Sequence, residues 1–229
     1  AFFPATDEST PCLILQVEDI TARRIAEDRL RHMAHHDDLT DLPNRAHFFE
    51  QLNGAIRAAR HDPSSCFAVL FLDCDRFKTV NDSLGHRVGD ELLVMLGRRI
   101  TAQLRPTDVV ARLGGDEFAI LARDMSEDDA VALSRRLQRV VSEPIRVRTA
   151  EISTTVSIGI TIGGRHYRSP EDVMRDADIA MYRAKAQGRA QYAIFDTALH
   201  AEVSSQLELE SALRRAIDIG PALTIREIK

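Results

Sequence analysis

The chain is 229 residues long and 44% apolar, enough for one principal domain with extensions and a sizeable core. Its 30 Lys and Arg against 35 Asp and Glu leave a net charge of −5, which excludes a bulk footprint for a DNA or RNA polymer; a phosphate-bearing ligand would need a local basic site. Three cysteines without paired spacing, Cys12, Cys66 and Cys74, exclude a disulfide framework and a cysteine zinc site and point to a reducing, cytoplasmic setting. No apolar run approaches the roughly 20 residues that span a bilayer, and the first residues lack the charged and apolar halves of a signal peptide, so any membrane connection is expected outside this chain.

Residues 12–17 read as a short strand, and 20–33 as a charged, helix-period connector with Ile25, Leu30 and Met33 as its apolar positions. Turn formers fill 36–43, and Pro43 is suited to open a helix whose inner face would be Phe48, Leu52, Ile56 and Ala59. The main domain is expected to start there. The unbroken apolar run 67–72 predicts a strand buried on both faces, ending in Asp73-Cys74-Asp75. After a polar stretch through Gly89, Leu92, Leu93, Leu96, Ile100 and Leu104 recur at helical spacing, and Pro106 stops the helix.

Strands at 109–113 and 117–121 flank Gly114-Gly115-Asp116, a hairpin signal in which glycine supplies positive φ. A helix over 127–141 precedes a strand in which Val156, Ile158 and Ile160 alternate with Thr155, Ser157 and Thr161. The last helix is well marked: Ser169 suits the N-cap, Pro170 the first helical position and Asp172 the first turn, with Met174, Ala177 and Met181 inward and Gly188 as terminator. Residues 192–195 form a final strand. The β-α-β-β-α-β order predicts an α+β fold, a mostly antiparallel sheet surrounded by helices.

Asp73 ends a buried strand, and Asp116 and Glu117 occupy a hairpin elsewhere; if the strands pair, three carboxylates meet at one sheet edge. Hard oxygen ligands of this kind suit Mg²⁺ or Mn²⁺, which hold phosphate oxygens in phosphoryl transfer. The other reading is a solvated hairpin tip. No Gly-x-x-x-x-Gly-Lys-Ser/Thr phosphate loop is present, which removes a P-loop GTPase from consideration.

Arg112-Leu113-Gly114-Gly115-Asp116-Glu117-Phe118 resembles the signature of the GGDEF family, and five specified residues arise by chance in such a chain only roughly once in ten thousand. The opening motif from Asp38 to Arg45, the segment from Asp73 to Asp82, Gly85 to Asp90, and Asp178 to Lys185 resemble the same family in order and spacing. The resemblance implies a nucleotidyl cyclase palm at 36–196 and diguanylate cyclase activity, the condensation of two GTP into cyclic di-GMP with two pyrophosphates released. It implies metal ligation by Asp73, the Cys74 carbonyl, Asp116 and Glu117, with Asp116 as general base toward a ribose hydroxyl and Glu117 beside it. Asn81 and Asp90 would read guanine, which offers a ring N–H and an amine that adenine lacks there. Lys185 and Arg189 would grip the terminal phosphates with help from Lys78 and the amides around Arg76 and Phe77, although cations at a helix end also complement its dipole. His86 belongs to the same segment, and a turn histidine also satisfies local backbone.

Arg105 and Asp108, with Arg136 nearby, occupy the place of the family's product-binding inhibitory site; a strand-end ion pair is the competing reading. The resemblance further implies a homodimer, each GTP attacking its partner, and the 20–35 segment is either a pairing helix or a plain surface helix. Residues 1–19 resemble the end of a PAS domain, and 197–229 a helical lead into an EAL phosphodiesterase domain. Two rivals stand beside the cyclase: a catalytically silent GTP-binding module regulating such a neighbour, and a cyclase making a mononucleotide product.

Overall fold

The structure, a computed structural model, describes residues 19–21, 24, 32–62 and 65–196. The chain divides into two units, 1–34 and 35–229. In the first, the described residues 21, 24 and 32–34 are helical. The strand expected at 12–17, all but the last residue of the PAS-like segment and the whole EAL-like segment lie outside the described residues.

The second unit is a five-stranded sheet with helices on both faces. Its middle strand is β1 (Phe67–Cys74), flanked antiparallel by β3 (Glu117–Arg123) and β6 (Val156–Gly163); β2 (Val109–Gly114) lies outside β3, and β7 (Tyr192–Ile194) runs parallel to β6, giving the order β2-β3-β1-β6-β7. β1 lacks alternation because both faces are covered. Ala68, Leu70 and Leu72 pack toward α3 (His86–Thr101) and α4 (Glu127–Ser142), while Phe67, Val69 and Phe71 pack toward α1 (Arg45–His61) and α5 (Pro170–Ala186). Two cores, one on each face, hold the sheet as the middle of three layers.

Several local readings are corrected. Pro43 does not open α1. It pairs with His36 in an isolated bridge, and Asn44 is the N-cap, accepting the His47 amide at 3.0 Å, as a short polar side chain does at this position. The polar stretch after β1 contains α2 (Phe77–Leu84), which buries no residue fully and so shows no core stripe in the sequence. α3 starts at His86 and stops at Thr101, leaving Leu104 in the following turn. A short hairpin, β4 (Ile145–Val147) with β5 (Ala150–Ile152), turns through Arg148 at φ 54° and carries no glycine to announce it. β6 is buried on both faces, Ser157 and Thr161 together with the apolar residues between them.

Candidate active site

Sheet register brings the three carboxylate positions to one edge. Asp73 lies opposite Glu117 on β3 and opposite Ser157 on β6, and the Cys74 amide donates to the Asp116 carbonyl at 3.2 Å. The hairpin turns through Gly115 at φ 51°, a conformation that favours glycine, after a bulge between Arg112 and Gly114. Arg112 fixes it. One guanidinium nitrogen donates to both oxygens of Asp37 at 2.9 Å, and the other two donate to the Gly115 carbonyl at 3.0 and 2.8 Å. Burial alone would raise the Asp37 carboxyl, but the Thr40 hydroxyl, the Arg112 guanidinium and the Thr40 amide outweigh it and hold Asp37 below the usual carboxylate range. Asp37, just before the opening motif, and Pro43 within it, whose carbonyl accepts the Arg112 amide at 3.0 Å, thus anchor the signature hairpin.

At the edge itself burial pushes the Asp73 carboxyl up, and the negative charge of Asp116 adds to this; the Lys185 ammonium, with Nζ 2.6 Å from Asp73 Oδ2, opposes without cancelling it. Glu117 is raised by burial first, then by the charges of Asp73, Asp178 and Asp116. Crowded, partly buried carboxylates of this kind are stabilised by cations. The Cys74 thiol is buried beside the Thr154 hydroxyl at 3.2 Å and pushed up to about 12, so it stays protonated and only the carbonyl of Cys74 is available as a hard ligand. Among the described residues, oxygens of Asp73, Asp116 and Glu117 do not come together within 4.8 Å of one another. They frame an open edge, the arrangement suited to Mg²⁺ or Mn²⁺, which share protein carboxylates with phosphate oxygens and water.

The remaining nucleotide residues surround this edge. Asn81, on α2, leans on α3 at Gly89: a Cβ built on Gly89 would lie 1.9 Å from Asn81 Oδ1, and that oxygen is shielded from solvent without a protein partner. Asp90 follows Gly89 and is exposed. Arg76 caps α2 with φ 59°, Phe77 is half-buried, and Lys78 and His86 are exposed. Lys185 is in the last turn of α5, and Arg189 lies in the next turn at φ 65°, exposed beside a cavity of about 480 Å³ that Arg76, Thr79 and Thr155 also line. A cavity of about 520 Å³ around Tyr167 and Phe195 lies at the other end of β6, away from the carboxylates.

Asp75 is the functional candidate that sequence reasoning passed over. Its buried carboxylate accepts from the Ser157 hydroxyl at 2.7 Å, the Thr155 hydroxyl at 2.6 Å and the Ala190 amide at 3.1 Å. It therefore ties the end of β1 to the turn that carries Arg189. Asp178, whose charge acts on Glu117, is a second residue given no role from sequence, although it opens the motif that ends at Lys185, two helical turns later.

Arg105 and Asp108 form one turn, with the Arg105 amide donating to Asp108 Oδ2 at 2.9 Å, while Asp108 Oδ1 is shielded from solvent without a protein partner. Arg136 reaches the same loop, donating to the Gln103 carbonyl at 2.8 Å. The three predicted residues are gathered, with Arg105 and Arg136 exposed.

Comparison with known proteins gives the same answer as the motifs. Residues 34–191 match the family described as "Diguanylate cyclase, GGDEF domain". The chain is 41% identical over 193 residues to the bifunctional diguanylate cyclase/cyclic di-GMP phosphodiesterase MucR of Pseudomonas aeruginosa, covering 84% of this chain and 28% of that protein. It is 40% identical over 212 residues to the diguanylate cyclase TpbB of the same species, covering 91% of this chain and 48% of that one, so it spans less than half the length of these relatives. The solved GGDEF domain of TpbB superposes with a TM-score of 0.71 at 42% identity, over 74% of this chain and 99% of that one. The coiled coil and GGDEF domain of DgcB from Caulobacter crescentus, solved with c-di-GMP, gives a TM-score of 0.71 at 27% identity, over 77% of this chain and 93% of that one. With the hairpin signature seated where register aligns Asp73 with Glu117, and with match and superposition agreeing, the chain belongs to the diguanylate cyclase GGDEF-domain family.

Proposed function

We propose that the chain condenses two GTP into cyclic di-GMP, each ribose hydroxyl attacking the α-phosphate of the facing GTP as pyrophosphate leaves. The observation that carries this reading is the pairing of Asp73 with Glu117 beside the Lys185 ammonium, which places cation-seeking carboxylates and a phosphate-seeking cation at one edge. Asp73, the Cys74 carbonyl, Asp116 and Glu117 would hold Mg²⁺ or Mn²⁺. When bound, the metal supplies charge neutralisation at the phosphates and a lower pKa for the attacking hydroxyl. Asp116 takes that proton, with Glu117 beside it.

Asn81, with its unpartnered oxygen, and Asp90 accept from guanine. Lys185 grips the terminal phosphates with Arg189, Lys78, and the Arg76 and Phe77 amides; His86 lies at the rim on α3. Because one domain binds one GTP, the reaction needs a homodimer, an arrangement in which positioning supplies much of the acceleration. The Arg105–Asp108 turn and Arg136 would bind cyclic di-GMP and hold the domains apart. A cytoplasmic site of action fits a nucleotide substrate, and among the described residues no helix is long and apolar enough to cross a membrane.

The test is to incubate the chain with GTP or ATP and Mg²⁺ and identify products by chromatography and mass spectrometry. Cyclic di-GMP from GTP, and nothing from ATP, is expected. GTP bound but unchanged would favour a silent regulatory module; a mononucleotide product would favour the other cyclase.

A further inference from the structure

Besides the carboxylate edge, three metal-ligating side chains meet at the start of the second unit. His47 is in the first turn of α1 and Glu50 follows one turn later, so both leave the same face of the helix. His35 comes from the preceding segment. Its carbonyl accepts the Asn44 amide at 2.9 Å, and the N-cap Asn44 in turn accepts from His47, so the histidines are held together although twelve residues separate them. His47 Nδ1 lies 3.3 Å from His35 Nδ1 and 3.8 Å from Glu50 Oε2, and the three ligand atoms lie within 4.8 Å of one another. The rings meet edge to face, with centroids 5.1 Å apart at 83°.

Two metal–nitrogen bonds of about 2.0–2.1 Å at a tetrahedral angle place their nitrogens about 3.3–3.4 Å apart, which is the separation seen between the histidines. Glu50, with Oε2 3.8 Å from His47 Nδ1, offers the third ligand atom. Imidazole nitrogens with a single carboxylate select zinc, copper or nickel over magnesium, the reverse of the all-oxygen edge at Asp73. We propose that His35, His47 and Glu50 form a site for a divalent transition metal of the zinc class, three-coordinate from protein with the fourth position open to water. The ion would clamp the approach to the domain onto α1. Asp37, two residues beyond His35, is the anchor of Arg112 and hence of the catalytic hairpin, so the clamp stiffens the segment that holds that anchor.

Cobalt(II) is the probe, since tetrahedral nitrogen and oxygen ligation gives intense visible absorption and an octahedral all-oxygen site does not. The metal-depleted, untagged full chain is titrated with Co²⁺ in excess Mg²⁺. One equivalent with intense bands, displaced by Zn²⁺, is expected, with loss of those bands in His47→Ala, His47→Gln and His35→Gln; the glutamine variants keep surface polarity, and circular dichroism checks their fold. Absence of intense bands in the parent, or bands of parent strength in both glutamine variants, would overturn the site.

Discussion

At Glu117 and Asp73, negative charge is held where burial and neighbouring carboxylates oppose it. Both groups bind protons more tightly in the fold than in the unfolded chain. Their contribution to metal-free stability is therefore largest on the acid side of their raised values and declines as pH rises through them, opposite in sense to that of Asp37. Mg²⁺ should flatten that decline in Tm measured against pH. Glu117→Gln should abolish turnover while stabilising the metal-free protein by about 0.5–2 kcal/mol, read by thermal unfolding, because function here is held against stability. At Gly89 a methyl group would displace Asn81, so Gly89→Ala should raise KM for GTP about tenfold, the scale of one lost polar contact, with a smaller change in kcat. Asp73, Asp116 and Glu117 could be singled out from the sequence because the end of an apolar strand marks the first and a glycine hairpin the other two. Asp75 was not, because its partners lie 80, 82 and 115 residues away and only the folded sheet brings them near.

Helix α5 owes the placement of Lys185 to an absent side chain. A Cβ on Gly159 of β6 would lie 1.9 Å from the Ala177 carbonyl and 2.4 Å from the Met181 amide, so strand and helix touch backbone to backbone. Gly159→Ala should destabilise by about 1–3 kcal/mol through this overpacking and depress turnover further by shifting Lys185; denaturant unfolding and rate assays separate the two effects. Asp75 does for the 188–190 turn what Gly159 does for α5. Asp75→Ala should raise KM for GTP more than it lowers kcat, since the turn it releases carries Arg189; Michaelis kinetics read the split. Elements with a continuous core stripe or paired capping signals, β1, α4 and α5, were legible as helices and strands. α2 and the β4–β5 hairpin were not, since the first buries no residue fully and the second has three-residue strands and a non-glycine turn.

For the molecule as a whole, the sheet positions both the carboxylate edge and the Arg105–Asp108 turn that leads into β2. If the turn binds product, Arg105→Ala should let cyclic di-GMP accumulate well beyond the level at which the parent stalls, with an unchanged initial rate; progress curves decide it. The family and the sheet followed from the motifs, whereas the proposed pairing of two half-sites would be a property of two chains, which no single sequence displays. The most direct test of that pairing is the initial rate of cyclic di-GMP formation against chain concentration at saturating GTP and Mg²⁺, with Asp116→Ala alongside. A rate rising more steeply than linearly, and a silent Asp116→Ala, is the predicted result. A strictly proportional rate, or parent-like turnover in Asp116→Ala, would contradict it.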